Sequence, residues 1–385
     1  MTSMIGLTPI HGSYCPDDCQ FLLTPISPQF LSIEEKERRI QTGQAHYSEM
    51  IHREAAPSAR YLSLFDALSD RYAQRLAQEV CSLAGRLLAD IGHSQAPIGL
   101  VSLARAGTPV GALLRRALVG QGRQPCEHYS ISIIRDRGID TQALDYLLDT
   151  VGLAPERLVF IDAWTAKGVI TRELRASLAR YNAERKAAGK SPVPVRLAVI
   201  SDIGGTADYS ATFDDYAIPS GVLNATVSGL VSRSVVNDQV PAGAFHGCVI
   251  HDDLAEHDRS HAFLDQVSTH FTGLDSSLSR ATATATATAT AEHARQRQSM
   301  LTMLDTLARD YQVSDINHIK PGIAEATRVM LRRVPALLLV RDKRHPDVEH
   351  LLLLAGEKAV AVVERPDMPF HACSIIKTLT AEARP

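Results

Sequence analysis

The sequence has no long apolar run. Its most apolar short stretches, such as residues 334–340, fall far below bilayer-spanning length, which argues against a membrane-spanning helix and a membrane partner. It has no strong charge either. Its 40 Lys and Arg against 43 Asp and Glu leave a net −3, so any binding to nucleic acid rests on a local patch. Cysteine is sparse. The six, at positions 15, 19, 81, 126, 248 and 373, contain no CxxC pair, which fits reduced thiols in a cytoplasm. The opening MTSMIGLTPIHGSYC lacks a basic start leading into an apolar stretch, so no signal peptide is expected and the expected localisation is cytoplasmic. A P-loop is missing too: it needs GxxxxGKS or GxxxxGKT, and here Lys167 precedes Gly168.

What is present is α/β in character. A chain of 385 residues exceeds one ordinary core and points to two or three domains. The repeat ATATATATATA, residues 281–291, alternates like a strand but offers no large apolar anchor. It reads as a low-complexity linker that turns helical toward residue 311. Domains are expected at 1–275 and 301–385, joined by a linker at 276–300. Before the linker, strands at 97–104, 128–134, 157–162 and 193–202 alternate with helices at 108–118, 141–152 and 170–188. Helical stretches at 33–42 and 63–88 precede them. This alternation predicts a parallel sheet covered on both faces. After the linker, helix 322–333, strand 336–342, helix 345–355, strand 359–364 and a strand near 373–377 predict a small α/β sandwich.

Ligands of a parallel sheet sit beyond the carboxyl ends of its strands, and four loops fall there. In LARAGTPVG, Arg105 supplies a fork of donors, and Ala106, Gly107 and Thr108 open a helix whose amides favour anions. IIRDRGID carries Arg135 and Arg137 beside a glycine suited to a mobile loop. In VFIDAWTAKGVIT, Asp162 is placed to hold sugar hydroxyls, while Thr165, Lys167 and Gly168 sit where a phosphate would lie. In SDIGGTADYS, Asp202 is followed by Gly204 and Gly205, which let a ligand approach the backbone. A carboxylate followed by an anion nest describes a ribose phosphate. Turns of this kind also need Gly and Thr for ordinary structural reasons.

These stretches, with HGSYCPDDCQFLL and HYSEMIHRE, resemble a family associated with bacterial tellurium-resistance and stress operons. The resemblance covers nearly the whole chain. That family joins a type I phosphoribosyltransferase-like domain to a C-terminal Pelota-type RNA-binding domain, and its members are also named cysteine protease StiP. The resemblance implies transfer of a ribosyl phosphate from phosphoribosyl pyrophosphate, with Mg²⁺, to give a ribonucleoside-type product. Asp162, Arg105, Arg135 and Arg137 would then be catalytic. Ala106, Gly107, Thr108, Thr165, Lys167, Gly168, Asp202, Gly204 and Gly205 would hold the substrate. Two positions depart from the pattern: Ala163 stands at the second acidic position, and Lys167 replaces the threonine before the glycine. The missing carboxylate favours an alternative, a non-catalytic protein that senses a ribonucleotide and RNA.

Residues 321–364 resemble the Pelota and kink-turn-binding ribosomal protein fold, whose signature is G-x-N-E-x-T-K. Here Gly322, Glu325, Thr327 and the basic Arg328 match, and Ala324 replaces the asparagine. The resemblance implies RNA binding through Lys320, Gly322, Glu325, Thr327 and Arg328. An ordinary solvated basic face is the plain alternative.

A third function class rests on HGSYCPDDC. A nucleophilic cysteine needs a histidine base brought near by the fold, and Cys15 with His46 or His11 would supply a cysteine peptidase. No local signature such as CGSCW or QACRG supports it, and a buried thiol or a loop lining the site is the plain alternative. Residues 245–267 hold several histidines, among them His246, His251, His257 and His261. These do not share one helical face, so a polar helix near a domain end is expected rather than a metal site.

Overall fold

The computed structural model of the chain describes residues 7–271 and 285–378. The first domain is built on a parallel sheet. Its strands are β1 (Gln20–Leu22), β2 (Ile98–Leu103), β3 (Cys126–Ile131), β4 (Leu158–Ile161), β5 (Leu197–Asp202) and β6 (Tyr209–Thr212). They run in the order β1-β3-β2-β4-β5-β6, and the short segment Trp164–Thr165 adds to β5.

Strands β2, β4 and β5 are buried along their whole length, as apolar runs covered on both faces must be. Side chains alternate between the faces. Leu100, Val159, Ile161 and Ile200 pack with the long helix Ala59–Ile91 and with Gly107–Gly120. Val101, Leu103, Phe160 and Val199 pack with Leu144 and Leu147 and with the helix Val169–Ala187. The expected parallel sheet with helices on both faces is therefore present. The flanking strands β1 and β6 were not expected.

A four-stranded sheet forms the C-terminal unit. Its strands are β7 (Ile319–Pro321), β8 (Pro335–Val340), β9 (Ala361–Glu364) and β10 (Ala372–Ile376), in the order β7-β10-β8-β9. The helices Ile323–Arg332 and Glu349–Glu357 accompany it. One helix, Ala285–Asp310, leads into this unit, so the described part of the Ala-Thr repeat is helical. Positions 281–284 lie outside the described residues.

The two units share a core. Ile323, Ala326 and Met330 cluster with Trp164 and Tyr216. Asp215 fastens them by accepting the amides of Ile323 (2.9 Å) and His371 (2.8 Å). Among the described residues, no helix is long and apolar enough to cross a membrane.

Candidate functional site

The loop at residues 11–19 is pinned by its backbone. Gly12 has φ +56°, and a Cβ there would lie 2.1 Å from the Gly229 carbonyl oxygen, so only glycine fits. The Ser13 amide donates to the same carbonyl (3.0 Å), and the Tyr14 hydroxyl donates to the Val227 carbonyl (2.9 Å). The Gly229 amide in turn donates to the Ser260 hydroxyl (2.9 Å). Ser260 opens the helix Ser260–Ser268, and His261 follows it. A second clamp runs through Arg116, which donates to both oxygens of Asp18 (2.6 and 2.7 Å) and to Asp265 on the same helix (2.8 Å).

These two clamps bring Cys15 Sγ to 3.8 Å from His261 Nε2, across 246 residues of sequence. The ligand atoms of Cys15, Asp18 and His261 all lie within 4.8 Å of one another. Cys15 is exposed, and the other five cysteines are buried. Burial, followed by the Asp18 charge, pushes the Cys19 thiol well above its usual range. Burial alone pushes Cys248 up to about 12 and Cys81 up to about 11. Cys15 is thus the thiol with both a solvent path and an imidazole partner. That partner is neither of the expected histidines. His11 bonds the Tyr14 carbonyl (2.9 Å), and His46 bonds the Ser48 hydroxyl (2.8 Å).

The residues expected to bind a ribose phosphate divide into two groups. One group lines a cavity of about 320 Å³ between the two units: Asp162, Arg135, Thr165, Lys167 and Gly168, joined by Lys320, Glu325 and Arg328 of the C-terminal unit. Four further cations, Lys36, Arg233, Arg332 and Arg333, complete its wall. Glu325 accepts from Trp164 Nε1 (3.1 Å) and Arg328 (3.2 Å), and Arg328 lies over the Trp164 ring at 4.5 Å. Burial raises Asp162 to about 6, while Arg328, Lys320 and the Trp164 hydrogen bond hold Glu325 down at about 2 against its own burial.

The other group is occupied within the fold. Arg105 is buried in an ion pair with Glu54 (2.6 Å) and donates to the Val231 carbonyl (3.1 Å). Ala106 immediately precedes the helix that Gly107 opens, and a Cβ on Gly107 would lie 2.2 Å from the Ile161 carbonyl oxygen. Thr108 bonds Ser130 (2.7 Å). Arg137 pairs with Glu49. Asp202 accepts the amides of Thr206 (2.7 Å) and Ala207 (2.8 Å). A Cβ on Gly204 would lie 1.5 Å from the Ala166 carbonyl oxygen, and one on Gly205 would lie 2.2 Å from that of His293. Those two glycines admit protein backbone where a ligand was expected. In the C-terminal unit, Gly322 has φ +90° before its helix, and Thr327 is buried and bonds His350 (2.8 Å).

Two cavity lysines titrate near neutrality. Burial, then the charges of Arg233, Arg333 and Arg332, lowers Lys36 to about 7, and burial with Lys320 lowers Lys167 to about 7. Unfolded lysine holds its proton to about pH 10.4. The unfolded chain therefore binds more protons above neutrality, and stability rises with pH there. From about pH 7 to pH 8, below the ionisation of unfolded thiols, the melting temperature is expected to rise. Lys36→Met should flatten that rise. An identical slope in the variant would contradict the assignment.

The chain is similar to known proteins in two segments and over its whole length. Residues 12–268 match the family described as tellurite-like stress resistance cysteine protease StiP, and residues 298–378 match the PELOTA RNA binding domain. A cysteine protease StiP of Acinetobacter baylyi is 40% identical over 389 residues, covering 98% of this chain and 97% of that protein. Solved structures are far less similar. An HGPRT-ase from Leishmania tarentolae in complex with GMP is 16% identical, with a TM-score of 0.26 over 36% of this chain and 77% of that one. An asparagine mutant at an invariant aspartic acid of HPRTs is 13% identical, with a TM-score of 0.26 over 48% and 93%. Likenesses this slight carry no argument.

The near-full-length relative overturns the expected phosphoribosyltransferase. Two observations accord with the correction: Arg105 is spent on Glu54, and Ala163 is wholly buried where a second carboxylate was needed.

Proposed function

The chain belongs to the StiP family of tellurite-like stress resistance cysteine proteases, and on that premise we propose that it hydrolyses peptide bonds with Cys15 as nucleophile and His261 as base. The observation that carries this reading is the 3.8 Å approach of an exposed thiol to an imidazole. His261 takes the thiol proton, and the Cys15 sulfur attacks the scissile carbonyl. The tetrahedral intermediate collapses to a thioester as His261 returns the proton to the departing amine. Water, activated by the same imidazole, then attacks the thioester and frees the acid and the thiol. Asp18, neutralised by Arg116, fixes the loop from beneath. Casein hydrolysis by the wild type and by Cys15→Ala tests the reading. Equal rates would contradict it.

For the C-terminal unit we propose RNA binding. The observation that favours it is the match of residues 298–378 to the PELOTA RNA binding domain.

A further inference from the structure

The cavity between the two units is crowded with like charge. Eight basic side chains line it against two lining carboxylates, Asp162 and Glu325; two of the eight also have carboxylate partners outside the wall, Arg333 with Glu37 (2.7 Å) and Arg135 with Asp136 (3.3 Å). Several of the cations are held by neutral acceptors. Lys167 Nζ donates to the carbonyls of Ile316 (2.7 Å) and Ile319 (2.8 Å). Lys36 Nζ bonds His52 Nδ1 (2.7 Å) and the Arg332 carbonyl (3.3 Å). Arg233 donates to the carbonyls of Tyr47 and Met50. Bonds of this kind fix position and supply no counter-charge. Packing like charges into a half-buried space is costly unless an anion occupies it.

The wall also has an anion-facing helix start and an apolar part. Gly168, at φ +66°, precedes the 19-residue helix Val169–Ala187, whose first turn has no side-chain cap, and Gly168, Val169 and Ile170 line the space. Free amides at such an end favour phosphate. Trp164, Pro321 and Val329 supply apolar surface beside it. A volume of about 320 Å³ suits one nucleotide and excludes a duplex.

The helix with the RNA-binding signature faces this space through Glu325 and Arg328 rather than presenting them to solvent alone. We infer that the two units jointly receive the phosphorylated end of a single-stranded RNA, its terminal phosphate among the cations and its last base on the apolar wall. This rests on the RNA-binding reading of the C-terminal unit. The protease site reaches the same framework through Val231: Arg105 donates to its carbonyl, two residues beyond the Gly229 that pins the Cys15 loop.

Trp164 is the single tryptophan of the chain, so its emission reports on this cavity. The full chain is titrated with one RNA decamer bearing a 5′-phosphate, a 3′-phosphate or hydroxyls at both ends, and separately with a nucleoside monophosphate. Binding is read by Trp164 emission and by gel shift. At least one phosphorylated decamer is expected to bind about tenfold or more tighter than the hydroxyl form, as charged hydrogen bonds warrant. Arg135→Ala and, independently, Lys36→Met should erase that difference, and added salt should weaken binding. Equal affinity of all three decamers would overturn the inference while leaving RNA binding intact. A monophosphate that binds as tightly as the RNA would also overturn it, in favour of a small-molecule site. Failure of every decamer to shift would overturn the RNA-binding reading as well.

Discussion

Cys15→Ala is expected to lower peptide hydrolysis by at least about 10³-fold, because without its nucleophile only binding and electrostatic contributions remain. His261→Ala should cost about 10²–10⁴-fold, the range for loss of a general base. The melting temperature separates chemistry from folding. Cys15 is exposed, so its truncation should leave stability almost unchanged. Cys19, four residues on, is fully buried. Cys19→Ala should therefore lower stability and spare hydrolysis, the reverse of Cys15→Ala. Rates for the two variants in the opposite order would place the nucleophile elsewhere.

Glu54→Ala is expected to destabilise the chain by about 3–5 kcal/mol, the cost of removing one partner from a buried ion pair. The Arg105 and Glu54 side chains are 3% and 8% exposed, and their charged atoms lie 2.6 Å apart. Against its own burial, Glu54 is held down at about 2, first by Arg105 and then by Arg332. It also accepts the Ala225 amide at 3.0 Å, a second bond that alanine forfeits. The pH dependence follows from the sign of the shift. A carboxylate lowered to about 2 on folding contributes its full stability above the unfolded value of about 4.3. That contribution is lost as pH falls toward 2. Urea unfolding of wild type and variant at neutral pH and in acid measures both effects. The gap between the two should narrow in acid.

The regular elements were readable because their patterns are local. The stretch Leu158–Ile161 is apolar throughout and is followed by Asp162, and the structure puts β4 on those four residues. The helix expected at 170–188 runs Val169–Ala187. Strand β1 has three residues, too few for any periodicity to mark it. Glycine misled for a physical reason. A missing Cβ admits a ligand or another backbone equally well, and at Gly107 and Gly204 the neighbour is a carbonyl of the chain itself. Arg105 misled likewise, since a fork of donors reads the same whether a phosphate or Glu54 receives it. Of the Cys15–His261 pair, the thiol is legible in the sequence and its imidazole partner is not. The histidine-rich stretch at 245–267 is visible in the sequence, but spacing along one helix face says nothing about a partner 246 residues away. The signal available was the exclusion of a shared face, which leaves each histidine to be used singly.

The most direct test is alkylation of the native chain by iodoacetamide at neutral pH, followed by intact mass and peptide mapping, in wild type and His261→Ala. A thiol activated by a neighbouring imidazole reacts through its thiolate. A single rapid adduct on Cys15 is expected in the wild type, with markedly slower modification of Cys15 when His261 is gone. Equal rates in the two proteins, or a first adduct on another cysteine, would contradict the assignment.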